Sequence, residues 1–245
     1  MQYYPPRFLF RRYEILKRLK KGYNFLEIGP GSLSLTKDIL KHYTNGTLVD
    51  YNPCVQKIYN GLERPIKKRL NLVIEDFMLL SINSKYDCII ACEVMEHIEQ
   101  DADFLSKIYS LLNNHGVLVL SVPSKQIFWS IHDSIVGHLR RYEKQEVINL
   151  LSKEDFKNIS VISYGFPFIN ILRWPRILLA KVQAKEKKSW DIITQTKESG
   201  LSHNREFPKF LGILCNKYTA YPLCLIASLF NRYDLSDGYI ITAEK

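Results

Sequence analysis

Asn24-Phe25-Leu26-Glu27-Ile28-Gly29-Pro30-Gly31-Ser32 is the stretch that decides the fold of this 245-residue chain. An apolar run ends in an acid, two glycines follow one residue apart, and a helical pattern, LSLTKDILKHY, begins at once. Glycines at 29 and 31 let the backbone turn sharply and let a ligand approach where a Cβ would collide. A helix starting there, with Ser32 as its expected cap, aims free N–H groups at that ligand. Asp50 closes the next apolar run, GTLVD, where an acid can accept hydrogen bonds from both hydroxyls of a ribose. Gly-x-Gly alone is weak, but here it stands between strand and helix with a second acid in place.

Strand and helix patterns alternate on both sides of this loop. NLVIED reads as a third strand and YDCIIAC (86–92) as a fourth, a nearly continuous apolar run as a parallel strand buried on both faces should be. Residues 100–112 carry Phe104, Leu105, Ile108 and Leu111 at helical spacing, and VLVLSVP is a fifth strand. A helix near 144–152, a strand near 158–165 and a terminal strand GYIITAEK follow. Strands alternating with helices give right-handed crossovers and a mostly parallel, doubly wound α/β sheet. Four parts are expected: a basic amphipathic helix (1–21) stopped by Gly22, a nucleoside-binding core (22–165), a helical insertion (166–234) placed as a substrate cover, and the last strand (235–245).

Composition narrows the class. With 46% hydrophobic residues the chain can bury one sizeable core, and no secretory signal pattern is read at its start. Five cysteines without paired spacing read as reduced thiols in a cytoplasmic protein, not as a zinc site. The formal charge of +9 concentrates in Arg7–Lys21 and again in Arg173–Lys188. Such clusters read equally as solvated helix faces or as attraction to a polyanion, which is nucleic acid, an acidic substrate or an anionic membrane met by peripheral contact. The apolar run 211–230 is broken by Asn216, Lys217 and Pro222, so a buried or interfacial helix pair is expected rather than a membrane span.

A dinucleotide enzyme would share the loop, but Ser34 stands where its fingerprint wants a third glycine or alanine. A carboxylate at Glu27 would repel a pyrophosphate, whereas it suits a cationic ligand. Together E-I-G-P-G (27–31), V-D (49–50), E-D-F (75–77) and C-E-V-M-E-H-I (92–98) resemble the successive motifs of the class I S-adenosylmethionine-dependent methyltransferases. The likeness is greatest to the small-molecule branch that includes the ubiquinone-biosynthesis O-methyltransferases, and it spans about 22–165 and the final strand. It implies a seven-stranded, Rossmann-like sheet whose last strand is antiparallel. It also implies roles: Glu27, Gly29, Pro30 and Gly31 at the methionine end, Asp50 at the ribose, Tyr51 beside the adenine, Asp76 on its amino group and Phe77 along the ring. Glu93 and Val94 would face the sulfonium and the acceptor. The chain departs from the pattern at Leu33, where many relatives keep a glycine.

The Asn/Asp-Pro-Pro-Tyr/Phe motif of enzymes that methylate base amines is missing after the fourth strand, where Cys92-Glu93-Val94-Met95 stands. Nucleic acid is therefore an unexpected partner, and oxygen or carbon of a small molecule is the expected acceptor. An RNA methyltransferase and a non-catalytic cofactor-binding subunit are the alternatives. His138, in a G-H-x-R-R-Y stretch that relatives also show, is the candidate general base, expected to be kept neutral by burial beside Arg140 and Arg141. His97 is the second candidate, with bracing of the loop as its plainer role. No metal is assigned. The alternative is a divalent ion held by Glu93, Glu96 and His97 with His132 or His138, as some oxygen-methylating relatives hold one.

Overall fold

The computed structural model describes residues 3–187 and 215–245. The strands are β1 (Gly22–Ile28), β2 (Tyr43–Asp50), β3 (Leu70–Ile74), β4 (Tyr86–Cys92), β5 (Leu112–Pro123), β6 (Lys157–Ser163) and β7 (Gly238–Glu244). They form one sheet in the order β3-β2-β1-β4-β5-β7-β6, parallel except for β7, which runs antiparallel to both neighbours. This is the seven-stranded, doubly wound architecture that the alternating pattern and the resemblance both predicted.

Successive strand residues feed two cores, as the period of two requires. Cys88 and Ile90 join the layer holding Phe25, Leu48 and Val119, while Ile89 and Ala91 join Leu26, Val49 and Leu118 on the opposite face. The first layer is closed by α1 (Pro6–Leu16), α2 (Thr36–Ile39) and α3 (Cys54–Asn60), and a one-turn helix α4 (Arg64–Lys67) follows. The second is closed by α5 (Asp101–Leu111) and, after α6 (Ile131–Val136), by α7 (Lys144–Lys153). Each fully buried aliphatic side chain here contributes roughly 1.5–3 kcal/mol of burial free energy.

Three local expectations change. The helix expected from Ser32 is only α2, because Leu33 has φ 55° in the left-handed region and cannot continue a right-handed turn. Ser32 is not its cap; its hydroxyl is 2.9 Å from that of Ser34. The first helix ends at Leu16, and Gly22 opens β1 instead of stopping the helix.

The basic stretch from Arg7 to Lys21 is also not a free cationic face. Arg12 pairs with buried Asp38 at 2.6 Å, Arg18 with Glu14 and Lys20 with Glu244, while Arg7 reaches Asp237 at 2.6 Å. Most of these acids lie far away in sequence, so reading neighbours alone left the cations unpaired.

In the stretch expected as a helical insertion, α8 (Phe168–Lys187) and α9 (Tyr221–Ser228) are observed, and Lys188 of the second basic cluster and residues 211–214 of the 211–230 run lie outside the described residues. Among the described residues no helix is long and apolar enough to cross a membrane.

Candidate active site

The sheet order reverses between β1 and β4, so the loops after these strands diverge and leave a crevice at their carboxyl ends, where open α/β sheets bind ligands. The glycine loop enters it with φ 67° at Gly29 and 50° at Gly31. A Cβ on Gly29 would lie 2.7 Å from Val94 Cγ2, so Val94 packs directly over the loop. The Gly31 N–H donates to Asp50 Oδ2 at 3.1 Å, and the Asn52 N–H donates to Oδ1 at 2.9 Å. Asp50 therefore ties the glycine turn to the end of β2. A carboxylate accepts about four hydrogen bonds, so room remains for hydroxyl donors.

Glu27 is buried at the end of β1 and accepts the Thr36 hydroxyl at 2.6 Å. Burial pushes its carboxyl up to about 7, against the opposing hydrogen bond. Thr36 thus belongs to the site although no motif pointed to it. Tyr51 stands half-exposed at the rim, and Asp76 turns its own loop by accepting the Met78 N–H at 2.8 Å. Phe77 is turned inward: its ring meets Phe104 edge-on at 5.5 Å, and Lys107 Nζ lies 4.9 Å from its centroid.

After β4, Glu93 adopts φ 56° and is gripped from three sides. Arg7 and Arg11 of α1 reach it at 3.2 and 3.3 Å, and the Ser121 hydroxyl at 3.0 Å. Burial alone would raise its carboxyl, but the two guanidiniums prevail and hold it down at about 2. Glu96, three residues on, has the opposite fate. It is fully buried, neither oxygen has a hydrogen-bond partner among the described residues, and burial with Glu93 nearby pushes it well above the carboxylate range.

The two candidate histidines meet here. Their rings pack edge-on with centroids 5.0 Å apart. His97 Nδ1 lies 2.9 Å from the Gly137 carbonyl, and burial, then His138, pushes it down to about 4. His138 Nδ1 lies 2.9 Å from Asp133 Oδ1, and its Nε2 is 3.7 Å from Glu96 Oε1. Asp133 is fully buried and held ionised by His138 and by Arg141, which reaches it at 2.8 Å. An ionised Asp133 fixes the proton on Nδ1 and leaves Nε2 as the basic nitrogen. The expected neighbours of His138 were the guanidiniums of Arg140 and Arg141. Instead Arg140 turns to Asp101 at 3.0 Å and Arg141 to Asp133, so carboxyl groups flank the imidazole.

Sequence reasoning missed Arg7, Arg11, Asp133 and Asp237 as parts of this site. One signal was legible: Ser130 and Asp133 form a capping box that starts α6 and fixes Asp133 beneath His138. Glu96, His97 and His138 offer ligand atoms within 4.8 Å of one another, and two imidazoles with one carboxylate are a donor set that suits Zn rather than Mg. Glu93, expected in that set, is committed to the arginines of α1. His132 is outside it, and burial lowers its pKa to about 3.

Comparison with known proteins fits this geometry. A family profile described as a methyltransferase domain matches residues 1–166. Among curated proteins, a malonyl-[acyl-carrier protein] O-methyltransferase of Ilyobacter polytropus is 27% identical over 147 residues, covering 56% of this chain and 54% of its own. The mitochondrial ubiquinone biosynthesis O-methyltransferase of Schizosaccharomyces pombe is 28% identical over 109 residues, covering 43% and 40%. The chain thus spans about half the length, or less, of these relatives.

Among solved structures, phosphoethanolamine N-methyltransferase 2 of Haemonchus contortus in complex with S-adenosyl-L-methionine aligns with a TM-score of 0.56 at 17% identity, over 96% of this chain and 52% of its own. The [4+2]-cyclase SpnF aligns at 0.57 and 16%, over 96% and 80%. Likeness at that level concerns the fold alone. The profile match extends from α1 through the glycine loop and the β4 turn to the end of β6, and with the sheet order it shows that the chain belongs to the class I S-adenosylmethionine-dependent methyltransferase family.

Proposed function

We propose that this protein transfers a methyl group to oxygen or carbon of a small, amphipathic or anionic molecule. The observation that carries this reading is the Gly29–Gly31 turn locked onto Asp50 with Glu27 buried beside it. Adenosylmethionine supplies an electrophilic methyl group on a sulfonium. In this reading Glu27 and the Cβ-free surface of the glycine loop hold its methionine end, Asp50 its ribose and Asp76 its adenine amino group. Tyr51 covers the ring from the rim, and Phe77 supports that wall from the core. Glu93 and Val94 shape the space beside the sulfonium, and His138 Nε2 takes the proton of a hydroxyl acceptor. Much of the rate then comes from positioning and exclusion of water. The O-methyltransferase names of both curated relatives support oxygen as the accepting atom.

Calorimetry tests the cofactor assignment. Adenosylmethionine and adenosylhomocysteine are expected to bind and NAD is not; binding of NAD alone would end this reading. Because burial raises Glu27, a ligand ammonium that needs its ionised form must draw off a proton at low pH. Adenosylhomocysteine affinity is therefore expected to climb as pH rises toward about 7 and to level off above it. An affinity flat from pH 5 to 8 would remove Glu27 from the ammonium site.

Peripheral membrane contact belongs to the same proposal. Ile171, Trp174 and Leu178 are exposed at helical spacing on α8, as are Tyr221 and Leu225 on α9, and apolar burial combined with basic charge favours an anionic lipid surface. Flotation is expected to retain the protein on anionic vesicles and not on neutral ones. Failure on both leaves α8 and α9 as a cover over a water-soluble acceptor. An RNA acceptor has weaker support, since the arginines of α1 are committed to acids within the fold, and a steep salt dependence of RNA binding would be needed to restore it.

A further inference from the structure

The crevice mouth holds an arginine-rich ion-pair chain of which the cofactor reading uses only Glu93. Arg11 reaches Glu93, Glu93 reaches Arg7, Arg7 bridges to Asp237, and Asp237 binds Arg176 at 2.6 Å. Arg141 joins through its own hydrogen bonds to the Asp237 carbonyl and to Asp133. Four guanidiniums thus meet three carboxylates, Glu93, Asp133 and Asp237, all held in the charged form. One positive charge is left over inside a largely dry cluster.

The donors are also incompletely used. Among the described residues, the buried Nε atoms of Arg11 and Arg176 have no acceptor, and neither does the hydroxyl of Tyr164. Tyr164 is fully buried, with the Arg7 guanidinium 5.8 Å from its ring centroid, and Arg7, Glu93 and Arg11 all act on its hydroxyl electrostatically. A buried donor without an acceptor costs roughly 1–3 kcal/mol, so three in one place are expected to have a function. What they lack is an acceptor-rich, negatively charged group.

On the next face of α1, Leu9 and Phe10 line an apolar cavity of about 230 Å³ with Phe168, Ile171 and Leu223. A single helix thus carries cations toward the crevice and an apolar wall beside it.

We infer that Arg11 and Tyr164, with Arg7 and Arg176 around them, form a subsite for an oxyanion of the methyl acceptor, a carboxylate or a phosphate joined to an apolar body. This rests on the methyltransferase reading and adds its acceptor class. Tyr164 and Arg11 are positioning residues: they fix the anion, and the methyl-accepting atom is left to the rest of the crevice. A carboxylate here accepts from the Tyr164 hydroxyl and from Arg11 Nε together, relieving both donors and the excess charge.

The test is calorimetry in the presence of saturating adenosylhomocysteine, with hexanoate and inorganic phosphate as separate probes. The wild type is expected to bind one of the two, and which one it binds separates carboxylate from phosphate. Tyr164→Phe, which removes one oxygen, and Arg11→Lys, which keeps the charge but loses the Nε donor, are each expected to weaken that binding about tenfold. Adenosylhomocysteine affinity should stay within about twofold in Tyr164→Phe. If neither probe binds, or if both variants bind it as the wild type does, the subsite is overturned while adenosylhomocysteine binding still upholds the methyltransferase reading. If Arg11→Lys instead loses adenosylhomocysteine, Arg11 serves the cofactor's own carboxylate and the inference also falls. Absence of adenosylhomocysteine binding in the wild type is the separate result that ends the underlying reading.

Discussion

Gly31→Val is expected to abolish cofactor binding, with adenosylhomocysteine affinity falling more than about a hundredfold, while the sheet remains folded. Gly31 has φ 50°, and its N–H is spent on Asp50 Oδ2. A β-branched side chain in the left-handed region costs about 1–3 kcal/mol in backbone strain, and the chain relieves it by rotating out of that region. Rotation withdraws the N–H from Asp50, so the carboxylate that is to meet the ribose loses its anchor and the turn loses its shape. Gly29→Val attacks the same loop differently, because its Cβ meets Val94 Cγ2 at 2.7 Å and pushes on the β4 turn as well. Gly29→Val should therefore lower thermal stability more than Gly31→Val. Calorimetry with adenosylhomocysteine, alongside thermal denaturation, reads both effects. A folded Gly31→Val protein with wild-type affinity would show that the loop does not hold the nucleoside.

The sheet was legible in the sequence because its signal is local. YDCIIAC is nearly continuously apolar, as a central strand demands, and lies as β4 between β1 and β5. The Gly29–Gly31 turn and the acid at 50 were legible for the same reason: each is fixed by a few adjacent residues. The helix after the loop was misjudged because one residue, Leu33, takes a left-handed φ that composition does not reveal. The electrostatics were not legible at all. Arg7 and Asp237 are 230 residues apart, and only the closure of α1 over the end of β7 brings them to 2.6 Å. Asp133 and Arg141 are only eight residues apart, yet their pairing also depends on how the chain folds after α6; it turns the guanidinium away from His138 and gives the imidazole a carboxylate instead. Side-chain charge in a sequence can be counted, but its partner depends on the fold.

That changed neighbourhood sharpens what His138→Ala should do. The sequence argument placed the histidine after the fifth strand and kept it neutral through nearby arginines. A base is supported by another route: Asp133, buried and ionised, holds Nδ1 and orients the ring, leaving Nε2 as the second nitrogen, 3.7 Å from Glu96. With a hydroxyl acceptor, loss of this base is expected to lower kcat by roughly a hundred- to ten-thousandfold, with adenosylmethionine affinity nearly unchanged. Asp133→Asn should imitate much of that loss without removing the imidazole, since an amide offers no charge and can favour the wrong tautomer. It also leaves buried Arg141 without its carboxylate, so its stability must be measured beside its kinetics. The pH dependence of kcat separates the two roles open to His138. A base gives a wild-type profile with an acid limb that vanishes in the alanine variant. A brace gives parallel profiles and a lower melting temperature. If the variant keeps near-full turnover and the same profile, His138 only holds the Glu96–His97 turn in place, and His97→Ala becomes the decisive substitution, since that ring packs against His138 and contacts the carbonyl of Gly137.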